Sequence, residues 1–357
     1  MRKGFALRIG LPREIKDGEF RVALTPAGVG ELVAAGHQVV IGLHLGVGVG
    51  FSDIEYEKAG ARTGNAWDCD LVVKVKELQE PEYRLPRKGQ TVFSFQHFGP
   101  EPALLDAALA SGATFIAFET VGQADGSLPI LAPMSAIAGR LAVQVGAWCL
   151  QKHNGGSGVL LSGVAGIPPG KIAILGAGNV GSNALAVAHG IGAKVTVIAK
   201  TERRFSSLLT SFPGAKFRTQ NLKKHIASAD LVIGGVLTPG QMSPKLVTRA
   251  MLRTMRPGSA LVDVGIDQGG IAETSRPTSH SDPIYVEEGV VHYCVPNMPA
   301  AAARTASLAL ERAVLPFIFE ISRNFYSEAL KTGIQVKHHR LTHEFLARDT
   351  GRAYDPL

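Results

Sequence analysis

A glycine-rich turn between an apolar strand and a helix constrains this chain more than any other feature of its sequence. Residues 171–175 read KIAIL, whose continuous apolar run is typical of a strand at the centre of a parallel sheet. GAGNVG follows at 176–181, then a helical segment, then a second apolar run at 194–198. A GxGxxG pattern alone is weak evidence in a chain with 41 glycines. The order of strand, glycines, helix and strand is the pattern of a dinucleotide-binding βαβ unit.

Each glycine of this turn has a predicted role. Gly176 permits a tight turn, Gly178 lets the backbone approach a pyrophosphate, and Gly181 allows close packing of the helix on the strand. The N-terminus of the helix offers N–H groups to the phosphates. The predicted phosphate-binding residues are therefore Gly176, Gly178, Asn179, Val180 and Gly181. A glycine-rich turn that binds no ligand is the alternative.

The residues after the second strand bear on the type of dinucleotide. NAD-binding domains usually place an acidic residue about 20 positions past the motif, where it binds the ribose hydroxyls. Ala199 and Lys200 stand there, and Arg203 and Arg204 follow. The missing carboxylate and the three cations favour a 2′-phosphate, and so NADP(H) over NAD(H), because arginine binds phosphate bidentately. In the alternative, this basic loop is solvated and Glu202 contacts the ribose of NAD(H).

Short β-rich runs that alternate with helix-like segments predict an α/β fold with parallel sheets. Thr25 and Pro26 form the N-cap and first helical position of one such helix. A long apolar segment at 135–153 predicts a linker helix that ends at the sequence HNGG. The predicted strands are 7–11, 38–41, 71–75, 91–95, 114–118, 171–175, 194–198, 231–234, 260–264 and 290–294. The other predicted helices include 26–35, 102–110 and 305–323, and a polar tail rich in His and Arg follows.

The composition excludes several classes of protein. A length of 357 residues with 45% hydrophobic residues suits two domains with buried cores rather than a disordered chain. The net charge of +7 comes from scattered Lys and Arg residues without a nucleic-acid-binding motif, so we expect no nucleic-acid partner. We expect no membrane span, since no apolar stretch reaches the required ~20 residues. The N-terminal segment does not read as a secretory signal.

The cysteines indicate the compartment. Cys69, Cys149 and Cys294 are widely spaced and odd in number, and they match neither a disulfide framework nor metal-ligand spacing. We therefore expect no metal, a reducing compartment and a cytoplasmic protein.

Further strings recur in order along nearly the whole chain. They are PREIKDGEFRVALTPAGV, LVVKVKE, FSFQHF, IAFETV, LAPMSAIAGRLAVQVGA, ADLVIGGVLTPG, LVDVGIDQGG and CVPNMPA. Read together, these strings resemble the family of alanine dehydrogenases and pyridine nucleotide transhydrogenases. The segment GGVLTPGQMSPKLV is more similar to the dehydrogenases than to the transhydrogenase subunit.

The resemblance implies two Rossmann-like domains, with the dinucleotide-binding domain inserted into the substrate domain. Residues 1–134 and 305–357 would form the substrate domain, and residues 135–304 the dinucleotide-binding domain. The resemblance also implies a homo-oligomer, of the hexameric kind that is typical of these enzymes.

The family's substrate residues fall on four positions of this chain. Arg21 matches the arginine that holds the substrate carboxylate, and Lys76 matches the lysine at the carboxylate and carbonyl. His97 matches the proposed general acid/base, since imidazole exchanges protons near pH ~6.5. Asp267 matches an aspartate near the nicotinamide that orients water or ammonia. The positions that line the cofactor in this family fall on Ser135, Val236, Asn297 and Met298.

Each of the four substrate residues also has a purely structural interpretation. Arg21 could pair with Glu19 or Glu14 at the surface, and Lys74 and Lys76 could both be solvated. An isolated histidine is more often structural than catalytic, and the aspartate could merely close a glycine turn.

The chain also departs from the family pattern. Gln96 and residues 98–100 flank His97 where the family usually has apolar leucines and small residues, and the connections before Trp67 and around 218–229 are shorter. We expect an NAD(P)-dependent amino-acid dehydrogenase that converts L-alanine reversibly to pyruvate and ammonia. The alternatives are a dehydrogenase or imine reductase for another 2-oxo acid, a transhydrogenase component, and a non-catalytic dinucleotide-binding paralogue.

Overall fold

Two units make up the computed structural model, which describes residues 6–236 and 242–357, with Arg204 and Ser207 described by their backbone alone. The first unit ends at Met134 and resumes as Ala302–Leu357, and the second is Ser135–Ala301. The chain therefore returns to the first unit at residue 302, where the sequence suggested residue 305.

Strands and helices alternate along the described chain. The strands are β1 (Arg8–Leu11), β2 (Gln38–Ile41), β3 (Arg62–Thr63), β4 (Leu71–Val73), β5 (Thr91–Ser94), β6 (Thr114–Ala117), β7 (Lys171–Leu175), β8 (Lys194–Ile198), β9 (Lys216–Arg218), β10 (Leu231–Gly234), β11 (Ala260–Asp263), β12 (Ile284–Glu287), β13 (Val290–Tyr293), β14 (Ile334–Lys337) and β15 (Arg340–Leu341). The α-helices are α1 (Pro26–Ala34), α2 (Asp53–Lys58), α3 (Pro102–Ser111), α4 (Leu131–Cys149), α5 (Asn179–Gly190), α6 (Ser206–Ser211), α7 (Leu222–Ala227), α8 (Arg249–Leu252), α9 (Ala303–Ser322), α10 (Glu328–Thr332) and α11 (Glu344–Thr350). The linker helix α4 lies four residues earlier than the predicted 135–153.

Each unit is built on its own sheet. In the first unit the strand order is β15-β14-β6-β5-β4-β1-β2-β3, and in the second it is β12-β13-β11-β10-β7-β8-β9. The strands β3-β2-β1-β4-β5-β6 are parallel, and so are β9-β8-β7-β10-β11-β13. Both sets have the doubly wound order 3-2-1-4-5-6 of a Rossmann fold. The predicted α/β class with two Rossmann-like units is confirmed.

Both sheets are mixed rather than purely parallel. β12 pairs antiparallel with β13, and β14 pairs antiparallel with β6 and β15. The segment 334–350, expected to be a polar tail, forms β14, β15 and α11, although His338, His339 and Arg340 in it are exposed. His338 and His339 make the turn between β14 and β15 with positive φ angles of 51° and 65°. His343 caps α11, since its Nδ1 accepts the N–H of Leu346 at 3.3 Å.

The continuous apolar run of β7 follows from its burial on both faces. Ile172 and Ile174 belong to one apolar cluster, together with side chains of α4 and α5. Ala173 and Leu175 belong to a second cluster, which includes Ile226 of α7. A parallel strand that is covered on both faces has no solvent side to carry polar residues.

The predicted site residues follow the carboxyl ends of parallel strands. In the first unit Lys76 comes shortly after β4 and His97 after β5. In the second unit Gly176 follows β7, Asp267 follows β11 and Asn297 follows β13. Doubly wound folds bind their ligands at this edge of the sheet.

Candidate active site

Lys76 and His97 are neighbours in the first unit. Lys76 Nζ lies 3.3 Å from His97 Nε2, and the ring of Phe95 stacks on the imidazole at 5.9 Å between centroids. An ammonium group has only donors, so a neutral His97 accepts at Nε2 and carries its proton on Nδ1. The structure thus brings together two of the residues predicted to act on substrate.

Glu119 holds the backbone of His97 in an unusual conformation. The φ angle of His97 is 46°, in the left-handed region that non-glycine residues rarely adopt. Glu119 follows β6, and its carboxylate accepts the N–H of His97 at 2.9 Å and that of Gln96 at 3.1 Å. Burial raises the pKa of Glu119, and these hydrogen bonds oppose that rise. The string IAFETV contains this residue, but its spacing gave no sign of the contact.

Burial and nearby cations keep His97 neutral. Its pKa falls to about 3, first because burial disfavours the imidazolium and then because the Lys76 ammonium is adjacent. Glu77 opposes this effect, while Lys16 and Arg21 add to it. In the free protein His97 is therefore a neutral imidazole at neutral pH, and a weak base.

Arg21 lies inside the first unit rather than at its surface. Its guanidinium donates from Nε to Glu19 Oε1 at 2.7 Å and from Nη2 to Glu19 Oε2 at 2.5 Å, and only 2% of the residue is exposed. Nη1 lies 3.3 Å from Met134 Sδ. The interpretation of Arg21 as a surface ion-pair partner of Glu19 or Glu14 was right about Glu19 and wrong about the surface location. This buried pair fixes the plane of the guanidinium.

Lys74 and Lys76 are both buried, so the interpretation of two solvated lysines was wrong. Lys74 is 1% exposed, and its Nζ lies 2.6 Å from Glu82 Oε2 and 3.6 Å from Glu14 Oε2. Glu14 Oε1 also accepts the N–H of Val75 at 2.6 Å. Burial raises the pKa of Glu14 to about 7, although Lys74 lowers it. One buried cation thus faces two carboxylates, those of Glu82 and Glu14.

The second unit carries the glycine turn in the predicted form. A Cβ on Gly176, whose φ is +105°, would lie 2.8 Å from the carbonyl oxygen of Gly235, and a Cβ on Gly181 would lie 2.0 Å from that of Gly176. α5 begins directly after Gly178, which supplies no side-chain cap. The first N–H groups of a helix have no partner within it. The turn therefore fits a pyrophosphate.

Asp267 and Asn297 are neighbours in the second unit. Asp267 Oδ2 accepts the N–H of Asn297 at 3.3 Å, and Asn297 has a positive φ of 58°. Asp263 holds both ends of the loop that carries Asp267, since it accepts the N–H of Gly265 at 3.0 Å and that of Ile271 at 2.7 Å. Sequence analysis missed Asp263, although it lies within the string LVDVGIDQGG.

The other predicted cofactor residues lie in varied surroundings. Val236 lies near Gly176, within 3.2 Å of the position that a Cβ there would take. Met298 is 3% exposed and packs in the apolar core of the second unit, whereas Ser135 in α4 is partly buried.

The loop after β8 exposes basic side chains. Ala199 is partly buried against the core and donates its N–H to the carbonyl oxygen of Arg218 at 3.1 Å, whereas Lys200 and Arg203 are exposed. The side chain of Arg204 lies outside the described residues. A surface groove of about 640 Å³ opens beside this loop, and Glu202 and Arg218 are among the residues that line it. Arg218 thus adds a guanidinium that the sequence analysis did not consider.

The described ranges, 6–236 and 242–357, lack two kinds of feature. They contain no group of three or more His, Cys, Asp or Glu side chains arranged to hold a metal ion. Within the same ranges no helix is long and apolar enough to cross a bilayer.

Comparison with known proteins adds independent findings. The family model for the N-terminal domain of alanine dehydrogenase/PNT matches residues 10–138, and the model for the C-terminal domain matches residues 142–344. A protein of Halomonas elongata named alanine dehydrogenase is 46% identical over 363 aligned positions, which cover 98% of each chain. The expected resemblance is therefore confirmed.

Solved structures agree with the sequence matches. A structure of L-alanine dehydrogenase superimposes with a TM-score of 0.92 at 43% identity, and it covers 96% of this chain and 99% of its own. A transhydrogenase from Sinorhizobium meliloti superimposes with a TM-score of 0.81 at 28% identity, over 94% of this chain and 99% of its own. Of these two, the dehydrogenase is more similar in both measures.

Proposed function

This chain belongs to the alanine dehydrogenase/PNT family, and from that premise we propose that it is an amino-acid dehydrogenase. It converts L-alanine reversibly to pyruvate and ammonia with a nicotinamide dinucleotide. The names of its relatives support the reaction, and the residues of the first unit supply the chemistry that the reaction needs.

The contact between Lys76 and His97 carries this proposal. Reductive amination needs a cation at the carboxylate and carbonyl oxygens of the 2-oxo acid, where negative charge develops. It also needs a neutral base that can give and take protons within hydrogen-bond reach. Lys76 Nζ lies 3.3 Å from His97 Nε2, so one substrate could meet both groups at once.

In reductive amination Lys76 and Arg21 would bind the pyruvate carboxylate and polarise its carbonyl for attack by ammonia. Glu19 pairs with Nε and Nη2 of the Arg21 guanidinium and would hold that group in place for the carboxylate. His97 would move protons as the carbinolamine loses water to form the iminium ion. Asp267 would orient the water that leaves or, in deamination, the water that attacks.

The glycine turn is the proposed site of the dinucleotide, and its residues fit that group. Gly176, Gly178, Asn179, Val180 and Gly181 would hold the pyrophosphate, because backbone N–H groups of a helix N-terminus meet a cradle that a Cβ would fill. The bound nicotinamide supplies the hydride of the reaction. Ser135, Val236, Asn297 and Met298 are the further residues that we propose for this site.

A variant of His97 tests the assignment of roles. We expect His97→Ala to abolish ammonia-dependent turnover of pyruvate while it leaves dinucleotide binding intact, since the two sets of residues lie in different units. His153→Ala, which removes an exposed imidazole, is the control and should keep full activity. Near-normal turnover by His97→Ala would reject His97 as the acid/base.

A substrate panel tests the reaction itself. Oxidation of the reduced dinucleotide in the presence of ammonia is measured with pyruvate and with other 2-oxo acids. Turnover with pyruvate supports the proposal. Turnover only with another acid would assign the altered residues around His97, including Gln96, to a different specificity, and exchange between two dinucleotides without any amino acid would indicate a transhydrogenase.

We also propose that the dinucleotide is NADP(H) in preference to NAD(H). Lys200, Arg203 and Arg204 stand where an acidic residue would repel a 2′-phosphate, and Arg218 lies nearby. Lys200→Ala combined with Arg203→Ala should weaken binding of NADPH far more than binding of NADH. Equal loss for both would reject the preference and leave Glu202 as the ribose contact.

A homohexamer in the cytoplasm is the final part of the proposal. Leu160, Val164 and Ile167 lie on the loop before β7, and each is about 60% exposed, which supports burial against a second copy. The three cysteines are free and buried, which supports a reducing compartment. Light scattering coupled to size-exclusion chromatography measures the oligomer, and a monomer would contradict it.

A further inference from the structure

The carboxylate of Glu77 lies between two ammonium groups in the first unit. Lys16 Nζ donates to Glu77 Oε1, and Lys76 Nζ lies 3.5 Å from Glu77 Oε2. Glu77 is 6% exposed, whereas the side chain of Lys16 keeps 35% of its surface in contact with solvent. The pair therefore runs from the protein surface to the Lys76 side chain.

Lys76 Nζ consequently has two acceptor groups beside it. His97 Nε2 lies at 3.3 Å and Glu77 Oε2 at 3.5 Å. Glu77 Oε2 has no hydrogen-bond partner among the described residues, so the Lys76 ammonium is the charge that compensates it. A lysine side chain has four rotatable bonds and is otherwise free to choose among many rotamers.

Glu77 stays charged in this position. Burial alone would raise its pKa, but Lys76, His97 and Lys16 outweigh burial and lower the pKa to about 2. An ionised carboxylate is therefore present at any pH at which the protein would be assayed.

We propose that Glu77, anchored by Lys16, is a positioning residue that holds the Lys76 ammonium against His97 so that both groups meet the same substrate. Glu77 touches neither substrate nor cofactor in this role and acts through Lys76. The inference rests on the proposed function, since it assigns a purpose to the geometry of Lys76 in that reaction.

The chain contains its own comparison for this role. Lys74 and Glu82 form a second buried ion pair, with 2.6 Å between Nζ and Oε2. Lys74 lies two residues before Lys76, in the segment that follows β4. The described structure gives Lys74 contacts with Glu82 and Glu14 but none with His97. Loss of Glu82 thus removes a buried carboxylate from a lysine without disturbing the proposed pair.

The test measures pyruvate affinity and turnover in Glu77→Gln and Glu82→Gln. Pyruvate binding is measured by calorimetry with the reduced dinucleotide present and ammonia absent, and kcat and KM are measured with ammonia. Glu77→Gln removes a negative charge beside a proposed anion-binding site and so makes the local net charge more positive by one unit. A purely electrostatic role of Glu77 therefore predicts tighter pyruvate binding in the variant. Positioning predicts the opposite sign: we expect pyruvate affinity and kcat each to fall about tenfold or more, because misplaced reactive groups lose rate steeply.

Three results would overturn the inference. Pyruvate affinity and kcat that stay equal or improve in Glu77→Gln would do so, and so would the same losses in Glu82→Gln. If Glu77→Gln does not fold, the double variant Lys16→Met/Glu77→Gln removes the pair with no change in net charge, and wild-type kcat/KM there would overturn it. A wild-type chain that binds pyruvate but shows no turnover refutes the proposed function instead, and the calorimetric comparison still decides on Glu77.

Discussion

Replacement of Glu14 by glutamine should make the protein lose less stability as the pH rises from about 5 to 8. Glu14 Oε1 accepts the N–H of Val75 at 2.6 Å, and an amide oxygen in its place can accept the same bond. The variant therefore removes the charge and keeps the contact. What it relieves is the excess of carboxylates over cations around Lys74, since Glu82 alone then balances that ammonium.

The magnitude follows from the pKa of Glu14, which burial raises from 4.5 to about 7. The folded protein thus binds this proton more tightly than the unfolded chain. The stability that Glu14 contributes is complete below about pH 4.5 and is lost as the pH rises through about 7. With these two pKa values, its contribution to the free energy of unfolding falls by about 2–3 kcal/mol between about pH 5 and pH 8.

Urea unfolding of both proteins at about pH 5 and pH 8 measures this difference. The stability of Glu14→Gln relative to wild type should rise by about 2–3 kcal/mol over that interval. Other groups titrate in both proteins, so they cancel in the comparison. Glu31→Gln makes the same chemical change on an exposed face of α1 and should show no such trend. A flat or falling difference for Glu14→Gln would refute the reasoning.

Three further variants test other parts of the structure. Gly181→Ala puts a Cβ 2.0 Å from the carbonyl oxygen of Gly176, so it should destabilise the second unit by about 1–3 kcal/mol and abolish dinucleotide binding; unchanged fluorescence titrations with NADH or NADPH would contradict this. Asp263→Asn keeps only one of the two carboxylate oxygens that accept the N–H groups of Gly265 and Ile271, so one buried N–H loses its acceptor. Urea unfolding should show a loss of about 1.5–3 kcal/mol, and kinetics should show a loss of much of the turnover that depends on Asp267. His338→Gly relieves a left-handed residue and should raise stability by about 1 kcal/mol in thermal unfolding without any change in kcat.

The central strands could be predicted because burial on both faces leaves a clear apolar signal. The bounds of β2, β7, β8 and β10 are those that the sequence suggested. The sequence analysis missed β9 and β12, which lie at sheet edges and keep exposed positions, Lys216 and Arg218 among them. The sequence analysis missed β14 and β15 for another reason. The turn between these strands has His338 and His339 at positive φ, where glycine or asparagine is the usual residue and the usual sequence signal of a hairpin.

The sequence could suggest members of the candidate site but not their contacts. The family resemblance pointed to Lys76 and His97, which lie after the ends of β4 and β5, and the strand order places those two strands side by side. Spacing cannot reveal that Lys74 is buried beside two carboxylates, because a lysine on a strand reads as a solvent-facing residue unless its partners are known. The role of Glu119 could not be predicted for a similar reason. Its partners are backbone N–H groups, which every residue except proline has, so no residue type in the sequence marks them.

The buried charges of the first unit suggest how substrate binding and base strength are coupled. In the free protein, burial and the Lys76 ammonium hold the pKa of His97 at about 3, which makes it a weak base. A substrate carboxylate bound by Lys76 would place a negative charge close to the imidazole, and an opposite charge within about 4–6 Å stabilises the imidazolium. The base would therefore gain strength when the substrate is in place and lose it when the product leaves. Glu77 already offsets part of the effect of Lys76 on the pKa of His97, and a bound substrate carboxylate would add to that offset.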